Sequence, residues 1–306
     1  MSASSQEQTV SSPELSPAPA SGIPGASLPA YNYETLVSPT SAIGPVQICR
    51  DVWRFRELLG AFILRDVKVR YKQTALGVIW VVLQPLLAGG LFAKVFSDLG
   101  SLSDQTSGEK FLFFLAGFVP WTTFSSAVQL SSASMEINSN LVRKVYFPRI
   151  LLPGAYVLGS VIDYCIALIV LLIAAAAVGH FSPLVLVLAP ALLLVQLLTA
   201  GGVGLVLASL NAQYHDVKYA IPFVLFVGLT VTVFLPLDNW GPSMTQILSF
   251  NPMTLVIEIY RSVLTGESPA IGLVALSLRG SFASVVIFLG GVWFFRQRES
   301  MLADIL

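Results

Sequence analysis

The chain has 306 residues, of which 55% are apolar and 11% charged, and its seventeen basic and seventeen acidic residues cancel. A soluble domain is about 25% charged, and a soluble fold of this size needs more polar surface than this to cover its core. The composition excludes an ordinary cytosolic enzyme, a disulfide-stapled secreted domain and a nucleic-acid binder, and it points to a chain solvated mostly by lipid.

The first break falls near residue 49. Residues 1–49 are rich in Ser, Pro, Ala and Gly, hold seven of the eighteen prolines and contain no Lys or Arg. Such a segment cannot bury enough apolar surface to offset its ordering entropy, and it reads as a disordered cytoplasmic tail. It lacks the basic start and continuous apolar stretch of a secretory signal. The apolar spans that follow are therefore expected to direct insertion themselves. Cys49 and Cys165 are too few and too far apart for a disulfide framework or a metal site. Cys165, in an apolar run, reads as a small core hydrophobe.

From Asp51 to Lys72 bulky apolar and basic residues mix. At about 100° per residue, Val52, Phe55, Leu59 and Phe62 share one broad face, with Arg54, Arg65, Lys68 and Lys72 roughly opposite. Arg70 falls on the apolar side. The pattern predicts an amphipathic interface helix lying at headgroup level, apolar face down; the other reading is the snorkelling end of the next span.

A bilayer core takes about 20 helical residues. Six apolar stretches qualify, at roughly 75–97, 111–133, 151–178, 184–209, 219–236 and 273–295. The expected fold is an all-α polytopic membrane protein with six transmembrane helices in a domain over 50–306. Between the fifth and sixth spans, Pro242, Pro252, Gly266 and Pro269 break the chain. Met253 to Leu264 is helical in period but too short and too charged to span. It predicts a re-entrant segment, tolerated only when packed against protein.

Basic residues set orientation. With the amino terminus inside, thirteen of the seventeen Lys and Arg fall on the inner side and four (Lys94, Lys110, Arg261 and Arg279) on or near the outer. Both termini are expected in the cytoplasm.

Catalytic patterns do not occur in the sequence. There is no His-Glu-x-x-His pair, no Gly-x-Ser-x-Gly elbow and no Gly-x-x-x-x-Gly-Lys phosphate loop. His180 and His215 are expected at opposite membrane faces. The chain is expected to be a transport subunit with no catalytic, cofactor or metal site of its own; if transport needs ATP, another chain hydrolyses it. An ionisable group inside a span is the default functional signal, and Asp163 lies well inside the third. It reads as a group hydrogen-bonded in the bundle or facing a wet cavity, or else as a proton or ion site. Glu258 and Arg261 lie three residues apart on one face of the outer segment.

Ala200, Gly204 and Ala208 recur every four residues, a spacing that lets helices approach closely. Gly89, Gly90, Gly290 and Gly291 allow similar contacts. The second span is aromatic-rich. Sugar rings present apolar faces that stack on aromatic rings, so Phe114, Phe118, Trp121 and Phe124 are candidates to line a sugar channel. The alternative is lipid-facing or interfacial aromatics.

Four segments resemble one family, the permease subunits of bacterial type-2 ABC exporters of surface polysaccharide (the O-antigen, capsule and teichoic acid branch). RYKQTALGVIWVVLQPLL (70–87) resembles the lead-in to its first span. NSNLVRKVYFPRILLPGAYVLGSVID (138–163) resembles its second-to-third loop. YHDVKYAIPFVLFV (214–227) resembles its next cytoplasmic connection, where Tyr-Arg-Asp is usual and His215 stands here in the Arg place. FNPMTLVIEIYRSVLTG (250–266) resembles its outer segment before the last span. The likeness covers about 50–306, and the long amino-terminal tail departs from it.

The resemblance implies a homodimer with two copies of a separate ABC ATPase subunit that binds ATP and Mg. The helix carrying Arg54, Arg65, Lys68 and Lys72 would rest on the inner leaflet beside the ATPase. Glu136, Asn138, Arg143 and Lys144 would form a coupling helix docking into it. Tyr214, Asp216 and Lys218 would form a second contact. The piece with Glu258 and Arg261 would close the outer mouth. The cargo would be a lipid-linked polysaccharide, O-antigen-type foremost, exported across the inner membrane through a central channel. A permease for a small lipid or drug shares the layout. A proton-coupled transporter using Asp163 is the other alternative, and a membrane-bound enzyme a more distant one.

Overall fold

The computed structural model describes residues 50, 53–72, 79–98, 105–144, 147–214, 216–234, 241–266 and 272–305, the last six by backbone only. The Ser/Pro-rich segment, Cys49, Val52, the start of the first span at 75–78, His215, the end of the fifth span at 235–236 and Pro269 lie outside the described residues.

The described elements are all helical. A first helix, α1 (Arg56–Lys72), leads to α2 (Ile79–Asp98) and α3 (Ser107–Ile137). The short α4 (Ser139–Lys144) precedes α5 (Leu151–Val178) and α6 (Leu184–Gln213). Helix α7 (Val217–Leu229) runs on into a π-helical turn (Thr230–Phe234). Two short helices, α8 (Pro242–Leu248) and α9 (Pro252–Thr265), come before α10 (Leu273–Ile305). Six helices are long and apolar enough to cross a membrane: α2, α3, α5, α6, α7 with its π-turn, and α10. The chain is an all-α, multi-pass membrane protein. Helix α3 is a full turn longer at each end than its apolar stretch suggested, and α6 and α10 also extend past theirs.

Local chemistry fixes several ends. Thr106 caps α3, its hydroxyl accepting from the Glu109 amide while the Glu109 carboxylate accepts from the Thr106 amide, so two orphan donors are satisfied reciprocally. Glu109 also lies 3.2 Å from His180, which ties the start of α3 to the turn after α5. Asn251 caps α9, with Pro252 in its first turn. Gly179 and Gly266 end α5 and α9 at φ of 85° and 78°, where a side chain would be strained.

Helix α3 is the axis of the bundle. In its most apolar stretch 78% of residues are buried, against 17% in α2, in α7 and in α10. It packs on α2, α5, α6 and α9. Leu112, Leu115 and Val119 of α3 meet Tyr164 and Leu171 of α5, Leu192 of α6, and Leu255 and Tyr260 of α9 in one core. Polar groups on these faces pair across helices: Gln196 Nε2 donates to Thr123 Oγ1 at 2.6 Å, and Asn211 Nδ2 to Ser132 O at 3.2 Å.

Helix α6 turns two small-residue faces outward. Gly204 abuts Ser131 of α3. Gly202 meets α10, where an added Cβ would lie 2.4 Å from Ile287 O, and one on Gly291 would lie 2.3 Å from Gly202 O. The close approach thus uses Gly202 and Gly291; Gly290 faces open space. Cys165 is exposed rather than in the core, on the outer face of α5 near Ile162 and Ile169. A small thiol suits lipid there as well as it suits a core.

Helix α1 departs from the flat interface helix predicted for it. Its face with Phe55, Leu59 and Phe62 does not point to lipid. Leu59 and Phe62 are buried against Leu152, Phe147 and Val292, and the Phe62 and Phe147 rings meet edge to face at 5.6 Å. Asp66 lies beside Gly159, and Arg70 beside Asp163. Both helices advance four residues between these contacts, so the last two turns of α1 run alongside α5 in the same direction.

Because the Gly202 neighbours are backbone atoms, they cannot yield by changing rotamer. Gly202→Ala is expected to cost about 1–3 kcal/mol, read as a lower unfolding temperature of the detergent-purified chain. Gly290→Ala serves as the control and is expected to stay within about 0.5 kcal/mol of the parent.

Candidate functional site

The polar chemistry concentrates in three places. At the end of the bundle where α4 lies, side chains knit five helices together. Arg65 of α1 donates to Asn138 Oδ1 at 2.6 Å, and Asn138 Nδ2 donates to Ser134 O and the Tyr156 hydroxyl. The Arg149 amide and guanidinium both reach Glu299 of α10, and Arg298 donates to Gln213 of α6 at 2.8 Å. Lys218 lies 3.3 Å from Glu136, so the second predicted contact segment pairs with the first.

Glu136, Arg143, Lys144, Tyr214, Asp216 and Lys218 are all exposed at this end. Asn138 is not. It is 7% exposed and caps the α3–α4 corner, so it sets the angle of α4 and offers no docking surface. Of the four basic residues assigned to the α1 surface, all are exposed; among the described residues Arg54, Lys68 and Lys72 have no ion pair, and Arg65 is tied to the corner.

At the opposite end α9 is packed inside the protein. Glu258 and Arg261 are 9% and 2% exposed and lie 3.1 Å apart. Arg261 also stacks over the Phe113 ring at 3.8 Å and donates to Phe113 O and Val233 O. Val233 lies in the π-turn, where helical carbonyls run out of intrahelical partners. One guanidinium thus joins α9, α3 and the end of the fifth span.

Between these ends lies the open face. A groove of about 400 Å³ runs between α2, α3 and α7. Aromatic walls come from Phe92, Phe118, Trp121, Phe226 and Phe234. Its floor is polar, made by Gln84 of α2 and Thr122, Ser125 and Gln129 of α3. Of the four aromatics singled out in this span, Phe118 and Trp121 line the groove. Phe114 and Phe124 do not: Phe114 is packed among Phe92, Phe96 and Phe113, and Phe124 lies behind Trp121. The floor was legible in principle. Thr122, Ser125, Ser126 and Gln129 fall at i, i+3, i+4 and i+7, one helical face, and a polar face in a span does not point at lipid.

A smaller pocket of about 230 Å³ adjoins the groove and shares Gln84 and Thr122 with it. Its inner wall is a knot of charge. Asp163, 5% exposed, accepts from both Arg70 and Tyr71, and Arg70 also pairs with Asp66 at 2.6 Å. Burial raises the Asp66 carboxyl above its ordinary range, against the pull of the Arg70 guanidinium. Burial and the Asp163 carboxylate also push the Tyr71 hydroxyl up, which keeps it a donor. The unexpected place of Arg70 on the apolar face of α1 has its reason here. It answers the one carboxylate deep in α5.

These features define a class: a polytopic permease with an exposed charged end, a plugged opposite end and a polar-floored groove on one side. The ABC-2 type transporter family matches residues 57–265, and the chain belongs to that family. It is 25% identical over 251 residues to the O-antigen export system permease protein RfbA of Myxococcus xanthus, covering 79% of this chain and 95% of that one. A protein of the same description from Klebsiella pneumoniae is 23% identical over 253 residues, covering 82% and 95%. The polysialic acid transport protein KpsM of Escherichia coli is 24% identical over 253 residues, covering 80% and 95%.

Removing Arg70 leaves both Asp163 and Asp66 without their shared guanidinium, whereas removing Asp163 leaves Arg70 paired with Asp66. Arg70→Met is expected to cost about 3 kcal/mol and Asp163→Leu less, both measured as loss of thermal stability in detergent. The triple variant Asp66→Asn, Arg70→Met, Asp163→Leu is expected to regain most of that loss, since no charge is then stranded.

Proposed function

We propose that this chain is the membrane-spanning subunit of an ATP-driven exporter that moves a lipid-linked polysaccharide, O-antigen-type foremost, out across the bacterial inner membrane. The observation that carries the reading is the groove between α2, α3 and α7. Its polar floor between aromatic walls suits a chain of hydroxylated rings, and it lies open along two spans with little protein cover. A second copy of the chain placed over this face would turn an open groove into a closed channel. That motivates the homodimer. The family membership and the relatives named for O-antigen export and polysialic acid transport support the cargo class.

The end carrying α4 faces the cytoplasm in this proposal, with both termini on that side. Arg143, Lys144, Tyr214, Asp216 and Lys218 then meet two copies of an ATPase subunit that binds ATP and Mg. The side chains that knit α1, α3, α5, α6 and α10 there would pass a displacement of α4 to several spans at once. Glu258 and Arg261 hold α9 as the outer seal. A proton-coupled mechanism at Asp163 has less support, because Arg70 and Tyr71 occupy both carboxylate oxygens.

Making the groove floor apolar tests the path. The variant Thr122→Val, Ser125→Ala, Gln129→Leu is expected to insert and copurify with the ATPase, yet to leave polymer inside the cell. Surface polymer at the parent level would overturn the path. Charge reversal tests the coupling end: Arg143→Glu with Lys144→Glu is expected to abolish stimulation of the ATPase by the permease. Normal stimulation with normal assembly would overturn that assignment.

A further inference from the structure

The pocket beside the groove contains chemistry that a passage alone does not require. It is lined by Arg70, Tyr71, Trp80, Gln84, Ser126 and Asp163, among others. Asp163 is twelve residues past the start of α5, or about 18 Å along a helix of that rise, and Trp80 is the second residue of α2, so the pocket lies midway along one span and beside the first turn of another. Trp80 is 53% exposed, so one large ring offers an apolar platform. Among the described residues, neither the Gln84 amide nor the Ser126 hydroxyl has a protein hydrogen-bond partner. Polar groups between spans, once covered, need partners.

The charge balance selects among ligands. The two charged lining residues, Arg70 and Asp163, cancel, and the guanidinium is already shared by Asp163 and Asp66. Among the lining residues a phosphate or pyrophosphate would find the one cation already held by two carboxylates. A neutral polyhydroxylated ring needs no free cation. Its C–H face matches an indole, and its hydroxyls both donate to carboxylates and accept from amides.

We propose that this pocket is a sugar subsite, in which one ring of the transported polymer rests on Trp80 and hydrogen-bonds to Gln84, Ser126 and the Asp163–Arg70 pair. The proposal builds on the groove as the path and gives it a resting position. Successive rings exchanging at one subsite divide a long passage into steps of equal length.

The test uses the assembled transporter in the cells that make the polymer. The photocrosslinker benzoylphenylalanine replaces Trp80 or Gln84, and, as references, Phe226 in the groove and Phe282, exposed on α10. After irradiation the chain is purified and stained for periodate-oxidised sugar. Positions 80 and 84 are expected to give an upward mass shift that stains for sugar and survives mild acid, which cuts sugar from lipid phosphate. Position 282 is expected to give none. Loss of the stain in acid would place the lipid phosphate in the pocket and overturn the sugar subsite. Label at 226 with none at 80 or 84 would overturn the subsite and leave the path standing. No label at 226, 80 or 84 would overturn the path reading and the subsite with it. Independently, Gln84→Ala with Ser126→Ala is expected to slow export roughly two- to tenfold per hydrogen bond lost with ATPase copurification unchanged; export at the parent rate would overturn the subsite.

Discussion

Helix α3 is enclosed by α2, α5, α6 and α9, and among the described residues its face with Thr122, Ser125, Ser126 and Gln129 borders open pockets. Lipid is as apolar as a leucine core, so membrane helices are not driven together by water. They associate through close packing and polar contacts. Helix α3 supplies both: Leu112, Leu115 and Val119 for packing, and Thr123 and Ser132 for bonds to α6. The placement of the other spans follows from it, and so does the groove, which is what remains when one side of such an axis is left uncovered.

A second constraint is that charges at depth must be answered. Two are, by different means. Arg261 is spread over a carboxylate, two carbonyls and a ring, and so fastens α9, which is too short to span. Asp163 is answered by a different helix, and so fastens α1 to α5. At the α4 end the same logic is repeated at lower cost, with half-exposed pairs such as Glu136 and Lys218. Paired charges thus hold together elements that apolar packing would leave free to slide.

Much of this was readable from residue order. The six spans follow from length and hydropathy, because a bilayer sets a minimum apolar run. The ends of α3 and α9 follow from Thr106 with Glu109 and from Asn251, Pro252 and Gly266. What covers each face was not readable. Phe55, Leu59 and Phe62 were correctly grouped, but periodicity cannot say whether an apolar face meets lipid or protein. The first half of α3 is apolar almost all round, so the pattern there could not separate Phe118 and Trp121 from Phe114, whereas the polar face that follows sets Phe124 apart. Asn138 has the chemistry of a surface residue and became a corner because Arg65 and Tyr156 converge on it from distant sequence.

The backbone contact between Gly202 and Gly291 has a mechanical consequence. Where two helices touch through side chains, they can adopt new rotamers and roll past each other. Where they touch through main-chain atoms, no such freedom exists, and α6 and α10 must travel as one stiff plank. Helices α2 and α7 have no comparable lock and little protein around them. Compliance in this molecule is therefore lopsided. A displacement that reached α6 or α10 would carry both together and leave α2 and α7 as the more compliant walls of the groove.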